Sequence, residues 1–162
     1  MAIAMMSWML AIPLLGLTTG LRSMTPMAVL CWFSYLGYLP VQDTWASWTA
    51  RVASVAVFTV LALAEYVADK LPRTPNRIAA GPLTARLVFG GLAGSIAATA
   101  MDGPGLEGVL LGVVGAALGA FGGFMVRRNL VETIGCSDWL IAVAEDLIAL
   151  LCAVFAMHVV TS

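Results

Sequence analysis

The chain has 162 residues, 61% of them hydrophobic and 10% charged, with a formal net charge of −1 and a mean hydropathy of +0.97. A soluble domain carries about 25% charged residues, so this chain lacks the polar surface to cover a globule in water and is expected to be a single integral membrane domain, 1–162. With no Lys/Arg run it is not expected to bind nucleic acid. Cys31, Cys136 and Cys152 are odd in number and lack CxxC spacing, which argues against a zinc site or a disulfide framework.

The opening MAIAMMSWML has no basic residue and no small-residue cleavage pattern, and reads as the start of a span rather than a removable signal. From Ile3 to Leu39 the chain is almost unbroken apolar sequence with one charge, Arg22. As a single helix this run would be roughly 55 Å long at 1.5 Å per residue, whereas a bilayer core is about 30 Å thick. The chain must therefore turn, and RSMTP (22–26) is the place with the chemistry to do so. Pro26 cannot donate a backbone hydrogen bond and disfavours helix in the residue before it, while Ser23 and Thr25 can bond the freed backbone groups. Span 1 is expected over 3–21 and span 2 over 24–40, the two joined by this tight Pro-containing break.

The polar stretch VQDTWASWTAR (41–51) follows, with Trp45 and Trp48 as interfacial anchors. Span 3 is expected over 52–71. PRTPNRIAAGP, with Pro72, Pro75, Gly81 and Pro82, is a loop. Span 4 is expected over 83–101, a short turn DGPGLE at 102–107, span 5 over 106–126, a loop RRNLVETIGCSD, and span 6 over 138–160. The fold class is thus all-α, a polytopic bundle of about six transmembrane helices. Six spans put both termini on one side. Arg22, Lys70, Arg73, Arg77, Arg86, Arg127 and Arg128 then fall on one face and Arg51 on the other. The positive-inside rule makes the first face cytoplasmic and the termini external.

Arg22 has two readings: a topological charge snorkelling to lipid headgroups, or a cation in an unwound segment that lines a cavity. The carboxylates have fewer escapes. Glu65 and Asp69 lie one helical turn apart on one face of span 3, and Glu145 lies roughly 10 Å in from Asp138 on span 6, with Asp146 about 100° around the helix from it. A charge at depth costs about 2.5–3.5 kcal/mol even on a lenient scale, and short acidic side chains cannot snorkel. They belong either to buried ion pairs, Glu65 or Glu145 with Arg86 or Arg22, that fix helix register, or to an acidic site for a proton, a cation or a small cationic substrate.

Gly108, Gly112, Gly115, Gly119 and Gly122/Gly123 step by three or four along span 5 and make a continuous small-residue face. Its expected partner is span 2 or 6, or the same helix in a second copy as a homo-oligomer. Gly90, Gly91 and Gly94 in span 4, and Gly16 and Gly20 in span 1, extend the pattern. LALAE (61–65) and IAVAE (141–145) echo one another, but the spacing of paired elements does not support an inverted repeat. HExxH, GxSxG and GxxxxGK[ST] motifs are absent. His158, the one histidine, has no acidic neighbour in sequence. No cofactor and no metal are implied.

The segments GLRSMTP (20–26), LALAEYVADKLPRTPNR (61–77), GPLTAR (81–86), FGGFMVRR (121–128) and AVAEDLIAL (142–150) together resemble the domain-of-unknown-function family DUF4126, small bacterial inner-membrane proteins with no assigned activity. The resemblance covers about residues 16–150 and implies the same location for this chain. It also implies that Arg22, Glu65, Asp69, Lys70, Arg86, Arg127, Glu145 and Asp146 are the family's recurring charged positions. It assigns them no role.

The leading expectation is a small transporter or channel-like protein, embedded among membrane lipids. Glu65 and Glu145 would accept a proton or cation, Asp69 and Asp146 would tune them, and Arg22 and Arg86 would act as gates or counter-charges. The alternative is a non-catalytic scaffold or assembly factor packing through its glycine faces. A lipid-modifying enzyme ranks third, because no nucleophile or metal motif accompanies the charges.

Overall fold

The structure, a computed structural model, describes residues 2–70, 78–135 and 137–161. The described residues form six α-helices and one 3-10 helix, with no strand among them. The α-helices are α1 (Ala2–Leu21), α2 (Met24–Tyr35), α3 (Val52–Ala68), α4 (Ala80–Ala100), α5 (Gly105–Ile134) and α6 (Asp138–Thr161); the 3-10 helix is Trp45–Ala50. Three helices are long and apolar enough to cross a membrane: Ala80–Ala100, Gly105–Glu132 and Trp139–Thr161. Met9–Leu21 and Val52–Ala68 are shorter apolar helices.

α1 runs parallel to α5, the two brought together by Gly16, Gly20 and Gly115. The chain then reverses at Arg22–Ser23, between the end of α1 and the start of α2. Pro26 lies in the first turn of α2, where a missing N–H removes no helical bond. α2 returns antiparallel to α3, pinned by contacts of Ser23 and Met24 to Glu65 at one end and of Trp32 to Thr59 further along.

Four boundaries differ by three residues or more from those expected. α4 begins at Ala80, so Gly81 and Pro82, expected in the loop, lie in its first turn, where a proline removes no helical bond. α2 stops at Tyr35, not near residue 40. Gly37, at φ +81°, turns the chain there in a left-handed conformation that favours glycine, and Leu39 and Val41 then insert fully buried into the core. At about 18 Å, α2 is too short to cross a bilayer core, and residues 36–50 occupy the space beyond it. α3 ends at Ala68 rather than at residue 71. α5 continues through the expected loop to Ile134, because no breaker occurs before Gly135, whose φ of +71° ends the helix. Arg73, Arg77, Pro72, Pro75 and Cys136 lie outside the described residues.

The main apolar core draws on α1, α2, α4 and α6: Ile12 and Leu15 of α1, Met27 and Leu30 of α2, Leu39 and Val41, Ile96 of α4 and Met157 of α6 are all fully buried. Trp48 packs on Phe58, and Phe58 edge-on to Phe89, with ring centroids 6.1 and 6.3 Å apart. Outward-facing residues are apolar too. Leu110, Val114 and Leu118 on α5 and Leu147, Leu151 and Phe155 on α6 are exposed.

The glycine row of α5 meets α1 and α4, not the second or sixth helix. A Cβ on Gly108 would overlap the carbonyl oxygen of Gly94, and one on Gly112 that of Gly90. On the other side, a Cβ on Gly115 would overlap the carbonyl oxygen of Pro13, and one on Gly119 that of Leu17. The physical reason is complementarity: α1 and α4 carry their own glycines at Gly16, Gly20, Gly90 and Gly94, so backbone meets backbone on both flanks of α5. Gly123, further along α5, is half-buried.

Candidate functional site

The reversal between α1 and α2 leaves two helix ends facing one another inside the bundle. The last carbonyls of α1 and the first amides of α2 carry partial charges of opposite sign and need partners. Ser23 supplies none: it sits in helical geometry and its side chain makes no capping bond. Both ends are instead satisfied from other helices. Arg86 of α4 donates from Nη1 to the carbonyl oxygens of Gly20 and Leu21, at 2.6 and 2.7 Å. The N–H groups of Ser23 and Met24 donate to the two oxygens of Glu65 on α3, each at 2.8 Å. A cation thus sits at a helix C-terminus and an anion at a helix N-terminus, both in the favourable sense. Arg86 Nη2 lies 4.0 Å from Glu65 Oε1, so the two caps also attract each other. Beside them the hydroxyls of Thr25 and Tyr66 share a hydrogen bond of 2.8 Å.

Arg22 lies in the gap itself. Its side chain is fully buried between Asp69 of α3, 2.5 Å from Nη1, and Asp146 of α6, 2.6 Å from Nε. The snorkelling role is therefore excluded, because the guanidinium points into the bundle and not toward lipid. Its contacts with the two aspartates are both short and charge-assisted, guanidinium to carboxylate. Lys70 Nζ reaches the other oxygen of Asp146 at 2.8 Å. Arg127 of α5 bridges Asp69 at 3.3 Å and Glu145 of α6 at 3.4 Å.

The structure therefore brings Arg22, Glu65, Asp69, Arg86, Glu145 and Asp146 into one network. It divides them differently from the sequence expectation. Glu65 pairs with Arg86 and caps α2, while Glu145 pairs with Arg127, and Arg22 is held by the two aspartates. Lys70 and Arg127 complete the network and were not singled out as site residues. Lys70 had the look of an interface marker and Arg127 of a loop charge. The signal for Arg127 was the uninterrupted helix-forming run from residue 124 to 134, which carries it inside α5.

Four cations and four carboxylates make the network neutral, and each carboxylate lies within 4.0 Å of a cation. A buried charge that is paired avoids most of the penalty of desolvation. Chemically, such a set can exchange partners or move a proton among carboxylates, but it presents no net field to draw in a free cation. Among the described residues no group of three or more His, Cys, Asp or Glu is arranged to hold a metal ion. His158 is exposed on the last turn of α6, away from the network, Cys31 is fully buried on α2, and Cys152 is half-buried on α6.

No curated protein and no solved structure matches the chain. A family model does, over residues 9–161, which takes in α1 from Met9 onward, the other five α-helices and all eight members of the charge network. The chain belongs to the family described as domain of unknown function DUF4126.

Proposed function

We propose that this protein is a small membrane transporter or channel-like protein for a proton, a cation or a small cationic substrate, and that the eight-charge network is its closed gate. The observation that carries this is the placement of four cations and four carboxylates where α1, α2 and α3 end against α4, α5 and α6. Capping the helix break accounts for Glu65 and Arg86 but not for the other six charges, and ionisable groups at membrane depth are usually kept for a pathway or relay. In this reading Glu145 and Asp146 are the proton or cation acceptors, engaged when their partners swing away. Asp69 and Arg22 form the gate, and Glu65 with Arg86 holds the broken helix in shape.

The bundle crosses the bacterial inner membrane six times, with α2 and residues 36–50 together making the second crossing. The charged end, carrying Arg22, Lys70, Arg86, Arg127 and Arg128, faces the cytoplasm by the positive-inside rule, and both termini lie outside. Arg51 precedes α3 at the other end.

The alternative is a scaffold or assembly factor, favoured by the pairing of every carboxylate in the network and by the backbone-to-backbone contact of α5 with α1 and α4. The experiment that separates the two is flux across proteoliposomes under a diffusion potential, read with a trapped pH dye and with sodium and methylamine as alternative permeants. Transport requires that the wild type dissipate one of these gradients and that Glu145→Gln slow it by about tenfold or more, a barrier change of about 1.4 kcal/mol. Flux no faster than empty liposomes for all three permeants would put the scaffold reading first.

A further inference from the structure

The side-chain hydrogen bonds that α2 makes with other helices run to α3 and to the 3-10 helix. Thr25 meets Tyr66, Trp32 Nε1 donates to Thr59 at 3.1 Å, and Ser34 accepts from Thr49 at 3.0 Å. Its N-terminal amides are held by Glu65, again on α3. The 3-10 helix is in turn tied to α3 through Ser54, which donates to the Trp48 carbonyl at 2.6 Å. These bonds link α2, the 3-10 helix and α3 along their whole length.

The attachments of this unit to the rest of the bundle are of another kind: Met27 and Leu30 of α2 pack in the apolar core, and polar ties lie at the two ends. At the charged end they are ion pairs: Asp69 with Arg22 and Arg127, Lys70 with Asp146, and Glu65 with Arg86. At the other end Leu39 and Val41 sit in an apolar core, and Trp45 Nε1 donates to Thr99 of α4 at 3.1 Å. The chain leaves α1 through two residues that belong to neither helix, Arg22 and Ser23. α1, α4 and α5, by contrast, touch through backbone at Gly16, Gly90, Gly94, Gly108 and Gly112, which leaves no room for relative sliding without collision.

We propose that residues 24–69 form one moving body, hinged at Arg22–Ser23 and latched to the rigid α1–α4–α5 unit by Asp69. The latch is exchangeable: Asp146 holds Arg22 and Lys70 at once, so a cation entering at Asp146 displaces Lys70 and weakens the tie of α3 to α6. Opening then carries α2 and α3 away together and exposes the face that α2 buries against α1 and α6. The proposal deepens the gate described above and rests on that reading for its purpose. Its test needs no substrate, so motion without transport and transport without this motion give separate results.

The test is maleimide labelling of single-cysteine proteins in lipid nanodiscs. Cys31 reports on α2, where it is fully buried, and Ala62→Cys reports on the seam between α2 and α3, flanked by the Trp32–Thr59 and Thr25–Tyr66 contacts. Ala98→Cys, fully buried where α4 meets Gly108 of α5, reports on the rigid unit. Asp69→Asn is expected to raise labelling of Cys31 by about tenfold, the factor that about 1.4 kcal/mol of lost latching gives, with Ala62→Cys, inside the moving body, and Ala98→Cys unchanged. Arg127→Gln, which leaves Arg22 on Asp69, is expected to do the same to a smaller extent. Labelling that rises at Ala62→Cys along with Cys31 means that α2 parts from α3 and overturns the proposal. A rise at all three positions means general unfolding, and no rise at any means a fixed bundle; either result also overturns it.

Discussion

Two regions of the molecule are held together in opposite ways. In the α1–α4–α5 unit the contact is backbone against backbone at glycines, with no charge in the contact between α5 and either neighbour. Where α2, α3 and α6 converge, the contact is made by long charged side chains and by carboxylate and guanidinium groups that finish helix ends. The first kind of contact falls off steeply with displacement, because dispersion needs close approach. The second tolerates exchange, since one guanidinium serves two carboxylates and one carboxylate serves two cations. A membrane bundle gains no hydrophobic drive between its helices, so these two devices share the task of specifying how the helices sit.

The comparison breaks first at Gly112. A leucine there would have to occupy the space of the Gly90 carbonyl, and Gly112→Leu is expected to yield no folded protein in detergent, as judged by a monodisperse elution peak. The milder Gly112→Ala is expected to lower stability by about 1–3 kcal/mol through overpacking, measured as a shift in the thermal midpoint. Next comes Arg22→Met. Removing one partner of a buried pair costs about 3–5 kcal/mol, and the lower end applies because Asp69 keeps Arg127 and Asp146 keeps Lys70. If Arg22→Met melted with the wild type, the coulombic account of the charged region would fail.

Glu65→Gln separates capping from mere pairing. A neutral amide keeps the shape but can accept through one oxygen only, so one of the two α2 amides loses its acceptor. A loss of about 1.5–3 kcal/mol is expected, the usual worth of a hydrogen bond to a charged group. Glu65→Asp, too short to reach, should fall as far; if it restored stability, the two-amide cap would be refuted. Trp45→Phe removes the bond to Thr99 at the opposite end, at about 0.5–1.5 kcal/mol. The smallest effect belongs to the exposed pair of Arg128 with Glu132 on one face of α5. Arg128→Ala is expected to change the midpoint by less than a degree or two, since such helix pairs contribute about 0.3–0.5 kcal/mol. A large loss there would mean that this helix end is buried against something else.

Much of this was legible before folding was considered. The excess of apolar residues and scarcity of charge put the chain in lipid, and the length of the run from Ile3 to Leu39 required a turn near RSMTP. Carboxylates that cannot snorkel had to be paired or functional, which marked Glu65, Asp69, Glu145 and Asp146 as a set. Local rules failed at helix ends. Span 2 looked long enough to reach residue 40, because Leu36, Leu39 and Val41 are as apolar as a helix core. Their burial in a turned segment depends on what lies across the bundle, and periodicity does not record that. Likewise Arg127 and Arg128 read as loop charges, yet the helix has no reason to stop before Gly135.

Residue type and order determined that this is a membrane protein, that its first apolar run must turn, and which acidic side chains must find partners, because the cost of a bare charge or an unbonded amide in lipid depends on residue type. Only the tertiary structure decided who the partners are. That Glu65 caps a helix rather than waiting for a cation, that Arg22 spans two aspartates, and that the glycines of α5 meet α1 and α4 all depend on which helices are neighbours. Coulomb attraction and backbone contact act over a few ångströms, and residues 42 or 124 positions apart in sequence come within that range only when the helices pack.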